Sequence, residues 1–237
     1  MKHIIGLIIL FSTFVQYSSF AQDKPIENLK TEDFRRLRFG YYIDFNFVGA
    51  KMEYLPTPTG TPFRINVKQK PSFGVGLLAD YRIHEFINIR FHPGVAFVER
   101  EINFPFSEED LSKALVNRNV KSNYVRFPIG IKFNARRIRN VRPYLMVSFS
   151  TNINISSEEN NSEDNESGTF RMKQRMNAWE FAIGTEIYLP YFKFTPSVHG
   201  VFALNNELVP DKNPTSIYTQ YISTMRSRGV FLRFTFE

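Results

Sequence analysis

The chain has 237 residues, a net charge of +7, 25 phenylalanines, one tryptophan and no cysteine. Without cysteine there is no disulfide scaffold, thiolate zinc site, iron–sulfur cluster or cysteine nucleophile. The length suits one large all-β domain, and the phenylalanine excess asks for more apolar surface than a small soluble core offers.

Lys2 and His3 precede an apolar run from Ile4 to Val15, about 12 residues and too short to span a bilayer. Ser19-Phe20-Ala21 follows, with small residues spaced for a cut before Gln22. Residues 1–21 read as a secretory signal peptide and 22–37 as a short charged periplasmic segment. Arg35, Arg36 and Arg38 gather where that segment meets the first strand.

From residue 38 to 237 apolar and polar residues alternate with period two. The first segment sets Phe39, Tyr41, Ile43, Phe45 and Phe47 against Gly40, Tyr42, Asp44 and Asn46. The second sets Phe73, Val75, Leu77 and Tyr81 against Gly74, Gly76, Asp80 and Arg82. The third sets Ile89, Phe91, Val95 and Phe97 against Arg90, His92, Gly94 and Ala96. In the fourth, Val125, Phe127, Ile129, Ile131 and Phe133 oppose Arg126, Pro128, Gly130, Lys132 and Asn134. The fifth opposes Leu145, Val147 and Phe149 to Tyr144, Met146 and Ser148. Trp179, Phe181, Ile183 and Ile187 alternate with Glu180, Ala182, Gly184 and Glu186 in the sixth. Phe192, Phe194, Val198 and Phe202 alternate with Lys193, Thr195, Ser197 and His199 in the seventh. The last sets Val230, Leu232, Phe234 and Phe236 against Gly229, Phe231, Arg233 and Thr235.

Connections alternate in length. Residues 48–71, 100–121, 155–175 and 205–226 form long polar loops. The joints near His84-Glu85, Arg136–Asn140 and Pro190-Tyr191 are tight. Eight strands with long loops on one side and short turns on the other predict an antiparallel up-and-down transmembrane β-barrel in the outer membrane of a Gram-negative bacterium, both termini periplasmic. A soluble lipocalin-like barrel shares the alternation but points its apolar face inward. Here the uniform face carries no charge, and an eight-stranded interior has no room for that many large apolar side chains. Aromatics also cluster at both ends of the apolar face: Phe47, Phe73, Phe97, Phe127, Phe149, Trp179 and Phe202 at one, Phe39, Tyr41, Tyr81, Phe133, Phe192 and Phe236 at the other. Two such girdles match the membrane interfaces.

The inward face then carries Asp44, Asp80, Arg82, Arg90, His92, Arg126, Lys132, Glu180, Glu186, Lys193, His199 and Arg233, with Arg142 added from the fifth strand. Buried charges need partners, so Arg82 with Asp80 and Lys193 with Glu186 are expected pairs. His92 and His199 read as a hydrogen-bonded structural pair, since two histidines without a third ligand make no metal site. No catalytic residue, cofactor or metal is expected. Residues 156–168 form an acidic loop, and Ser107-Glu108-Glu109-Asp110 before Leu111 and Leu115 reads as a capped short helix. Arg136, Arg137 and Arg139 crowd the middle turn. With Arg35, Arg36 and Arg38 they make a basic rim, read either as positive charge attracted to anionic lipid and kept from translocation or as a surface for an acidic periplasmic partner.

The whole mature chain resembles the PorT/SprT family of Bacteroidota. The features are Arg38-Phe39-Gly40, Gly74-Val75-Gly76 with Asp80-Tyr81, and Arg126-Phe127-Pro128-Ile129-Gly130 with Lys132. The last is similar to an Arg-x-Pro-hydrophobic pattern ending on Lys in that barrel superfamily. The resemblance implies a non-enzymatic outer-membrane accessory of type IX protein secretion, which exports cargo with C-terminal sorting domains and in some species supports gliding motility. Its implied partners are outer-membrane lipid and other secretion proteins, with no nucleic acid and no small-molecule substrate. The alternatives are a structural or adhesive barrel acting through its outer loops, and an outer-membrane enzyme.

Overall fold

The computed structural model describes residues 27–56, 64–105, 117–159, 170–212 and 218–237. The signal peptide, the capped helix near Ser107 and most of the acidic loop lie outside the described residues. No described helix is long and apolar enough to cross a membrane, which says nothing about crossing by strands.

The described residues form ten strands: β1 (Leu37–Tyr54), β2 (Asn66–Gln69), β3 (Pro71–Arg82), β4 (Ile87–Phe91), β5 (Gly94–Asn103), β6 (Asn117–Asn134), β7 (Val141–Asn154), β8 (Arg175–Tyr188), β9 (Lys193–Ala203) and β10 (Ile222–Phe236). They make eight staves. β2 continues into β3, and β4 into β5, because both halves of each pair with the same neighbours. The second interruption falls at His92-Pro93, where Pro93 has no N–H to give the ladder. Every neighbour is antiparallel, and β1 pairs with both β3 and β10, which closes the ring.

The period-two pattern decides which face is which. On β6 the even residues from Arg118 to Asn134 are all buried, and between the girdles the odd ones are exposed. Outward residues include Phe39, Leu77, Ile129, Leu145 and Ile183. Register lines up Phe149, Trp179 and Phe202 at one level, with Phe149 and Trp179 edge to face at 5.7 Å. Near the other end Tyr41 stacks on Phe236 at 5.2 Å. Two inward glycines make room for one ring: a Cβ at Gly76 or Gly94 would overlap Tyr42, which lies across both.

The strands run further at the long-loop end than alternation between aromatics suggests. β1 extends to Tyr54, and β5 pairs with β6 up to Asn103↔Asn117. Beyond the aromatic level the outward face turns polar, with ion pairs Lys70–Glu99 at 3.1 Å, Lys68–Glu101 at 3.7 Å and Lys51–Glu53 at 3.4 Å. The ladder thus projects past the apolar band. The reading of 48–71 and 100–121 as loops is corrected accordingly, because charged outward residues are as compatible with a strand in water as apolar ones are in lipid.

Candidate functional site

The lumen is filled in layers. Nearest the short turns is a cage of ions. Asp80 on β3 takes Arg38 at 2.9 Å, Arg90 at 2.7 Å and Lys132 at 3.0 Å. Glu186 on β8 takes Lys132 at 2.6 Å and Lys193 at 3.0 Å. Glu237 closes the cage, 2.8 Å from Arg90 and 2.5 Å from Lys193. Register builds it: Asp80 faces Arg90 across β3–β4 and Arg38 across β1–β3. The cations also lie over a ring, with Lys132 Nζ 5.3 Å and the Arg90 guanidinium 5.6 Å from the Tyr144 centroid.

The next layer holds two ion pairs. Arg233 meets Asp44 at 2.9 Å and lies 3.9 Å over Tyr42. Arg126 meets Glu180 at 2.5 Å and lies 4.4 Å over Phe231. His92 and His199 belong to this layer. They are not hydrogen-bonded to each other: their ring centroids are 6.0 Å apart, and neither ring nitrogen of His92 has a hydrogen-bond partner. The expected histidine pair is therefore replaced by two separately held rings.

Above these layers the lumen becomes apolar. Val48, Ala96, Val98, Tyr124, Met176, Ala178 and Phe231 form one cluster. Ile102, Phe104, Phe170, Met172, Leu208 and Met225 belong to a second. Met172 and Leu208 come from two different loops, beyond the ends of the neighbouring strands β8 and β9, and pair as a small antiparallel β-bridge. Arg100 and Glu207 sit inside this region, both bonded to Ser227 Oγ at 3.1 and 3.0 Å. Burial pushes the Glu207 carboxyl above its ordinary value, against the opposing effect of Arg100.

At the short-turn mouth the segment before β1 folds across the turns. Asp33 is its anchor, with Arg137 at 2.7 Å, Arg142 at 3.4 Å and the Tyr188 hydroxyl at 2.8 Å. Arg82 donates to the Asp33 carbonyl. Asn28 donates to Tyr188 O at 3.0 Å and receives Arg137 on its own carbonyl. The Arg137 guanidinium lies 3.7 Å over the Tyr188 ring. A cleft of about 530 Å³ remains beside it, lined by Lys30, Arg82, Arg136, Arg137 and Arg142 with Glu27, Asp33 and Glu85.

Three sequence readings are corrected by these placements. Arg82 does not pair with Asp80; it ends at the mouth, on the Asp33 carbonyl. Arg38 does not belong to the rim surface: it is buried and bonded to Asp80. Arg137 is half-buried and spent on holding the N-terminal segment. Arg35, Arg36, Arg136 and Arg139 remain exposed, Arg35 in an ion pair with Glu32 at 3.2 Å. The pairing of Lys193 with Glu186 is present. Sequence reasoning missed Arg38 and Glu237 as lumen groups, although each is in phase with its strand's inward residues. It missed Arg100 and Arg118, because the strands were ended at the aromatics. No sequence signal marks Met172, Leu208 and Glu207, which reach the lumen from loops.

The closed ring, with apolar residues outside and paired charges inside, defines a transmembrane β-barrel. A family model described as an outer membrane protein beta-barrel domain matches residues 20–209, and the chain belongs to that family. It is thus an outer-membrane protein. Solved structures similar to it include AlkL in lipid bilayers (15% identity, 92% of this chain and 94% of that one, TM-score 0.47). OprG from Pseudomonas aeruginosa is similar at 10% identity over 83% and 94%, TM-score 0.41. The outer membrane protease OmpT from Escherichia coli is similar at 9% identity over 92% and 98%, TM-score 0.44. No curated protein matches the chain.

Proposed function

We propose that this barrel is a closed, non-catalytic accessory of type IX protein secretion, working through its ends rather than through its lumen. The observation that carries this reading is the filled interior: ion cage, paired arginines, apolar cluster and loop side chains follow one another from mouth to mouth. Such a barrel offers cargo no path, so it would assist a larger translocon. The titratable groups of the cage are engaged with one another, which favours a structural over an enzymatic role. Assignment to secretion rests on the resemblance in Arg38-Phe39-Gly40, Asp80 and Arg126-Phe127-Pro128. Arg38, Asp80, Arg126 and Lys132 from those motifs all serve the lumen network. They therefore explain the barrel more directly than the secretion role.

The short-turn end, with the docked segment and the exposed Arg35, Arg36, Arg136 and Arg139, is taken as periplasmic and as the surface for an acidic partner. Surface charge of this kind governs association rate and specificity. Deleting the gene and counting secreted proteins tests the role; unchanged secretion rules it out. Tags test orientation: one near Asn161, outside the described residues, should be reached from outside intact cells, and one near Arg137 should not.

A second reading, a structural or adhesive barrel acting through its outer loops, is favoured by the pinned loop bases. Met172 and Leu208 anchor two of them inside the lumen, so the loops stand on a rigid platform. Loss of surface attachment with secretion intact in the deletion strain would select it.

A further inference from the structure

Three buried side chains in the middle of the lumen point their unused polar atoms at one another. His92 lies at the break between β4 and β5, Glu180 on β8 and His199 on the neighbouring β9. They are 1%, 0% and 2% exposed. One ligand atom from each lies within 4.8 Å of the other two. We infer that His92, His199 and Glu180 form a site for a divalent transition-metal ion, with zinc the ion whose usual ligands they match.

The donor atoms are bare for identifiable reasons. Ser197 Oγ donates to the Arg233 carbonyl at 3.4 Å and lies 3.1 Å from His199 Nε2. With its own proton used, the hydroxyl accepts from Nε2–H, which leaves the lone pair on Nδ1. That Nδ1 has no hydrogen-bond partner. Glu180 spends Oε1 on Arg126, while Oε2 is unpartnered. His92 Nε2 is 3.8 Å from Oε2, too far for a hydrogen bond. Buried polar atoms are ordinarily satisfied, and here the unsatisfied ones converge on one point.

Two imidazoles and one carboxylate with an open fourth position are an established zinc donor set. Tetrahedral coordination at about 2.1 Å would draw the donors to roughly 3.4 Å apart, a small closing of side chains already facing one another. The outer partners that such ligands need are present, Ser197 behind His199 and Arg126 behind Glu180. The neighbouring guanidiniums oppose a cation: Arg233 is matched by Asp44, while Arg126 would share the Glu180 carboxylate with the ion, one oxygen each. The ion would join β8 and β9 to the His92 break across the lumen, at the level where the ion layers give way to apolar packing. It would hold the barrel from inside.

The test uses the untagged full barrel, refolded in detergent with zinc chloride and then dialysed against metal-free buffer. Elemental analysis should find zinc equimolar with protein, and thermal unfolding should shift upward relative to a metal-free preparation. His92→Gln and His199→Ala should lose the zinc while keeping heat-modifiable migration. His84→Gln, changing an exposed residue in the β3–β4 turn, should keep it. Zinc retained equally by wild type and His92→Gln, or absent from wild type, overturns the proposal. Should the variants fail to fold, cobalt(II) added to the wild-type barrel decides: tetrahedral ligand-field bands support the site, and their absence overturns it.

Discussion

The two halves of one lumen are filled by opposite means. Toward the short turns the staves themselves supply the filling, as long charged side chains paired across the interior. Toward the long loops the same inward positions carry Ala96, Val98 and Ile102, and loop residues such as Met172 and Leu208 are pushed in from above. The wall and its alternation are continuous through both halves. What differs is access. Turns of a few residues cannot fold back into the mouth, so the strands fill that half; loops long enough to re-enter can bring their own apolar cap. A charged half is unforgiving of single losses, because each ion removed leaves buried charge less fully compensated. An apolar half loses packing locally.

Removing a central anion is the hardest blow to this contrast. Asp80→Ala should leave Arg38 without its carboxylate, take one of the carboxylates from each of Arg90 and Lys132, and cost about 3–5 kcal/mol; loss of the heat-modifiable folded band checks it. Met172→Ala in the apolar half should also cost about 2–5 kcal/mol. That loss should be confined to the plug: protease sensitivity should rise in the 155–174 connection while the folded band survives. Equal effects of the two changes on the ring would abolish the distinction.

Next in size is the lipid face, which both halves share. Ile129→Arg places a charge among lipid tails for about 2–4 kcal/mol, measurable as lowered stability in bilayers. Its lumen-facing neighbour is no softer a target: a Cβ at Gly130 meets the Val147 carbonyl oxygen at 2.5 Å, so Gly130→Ala should also impair folding. At the mouth, Arg137→Ala should release the segment around Asn28 and Asp33 to protease, at roughly 1.5–3 kcal/mol for its charged hydrogen bonds, leaving the ring folded.

The smallest effect concerns pH in the loop-filled half. Glu207 has a raised carboxyl pKa, so the folded plug favours its protonated form. Its contribution to plug stability is complete below the ordinary carboxylate range and is lost as pH rises through the raised value. Glu207→Gln should flatten this dependence, read as protease sensitivity of the 155–174 connection against pH. A wild-type plug indifferent to pH would show that Arg100 fully offsets the burial.

Alternation by itself determined that the chain is an eight-stave barrel, which face meets lipid, where the tight turns fall and that Asp44, Glu180, Lys132 and Arg233 point inward. Period two assigns every residue of a strand to one of two faces, and only one face here is free of charge. Parity carries Arg38 and Glu237 inward as well, once the strands are extended to their true ends. Partners were another matter. Whether Asp80 meets Arg82 or Arg38, Arg90 and Lys132 depends on the stagger between staves, which no local pattern encodes. That Arg137 clamps Asp33 depends on how the leading segment crosses the mouth. That Glu180 completes a triad with His92 and His199 depends on curvature bringing the His92 break round to face the neighbouring strands β8 and β9. Register between neighbouring staves, the path of the leading segment and ring closure decided these contacts, and a strand's own alternation encodes none of the three.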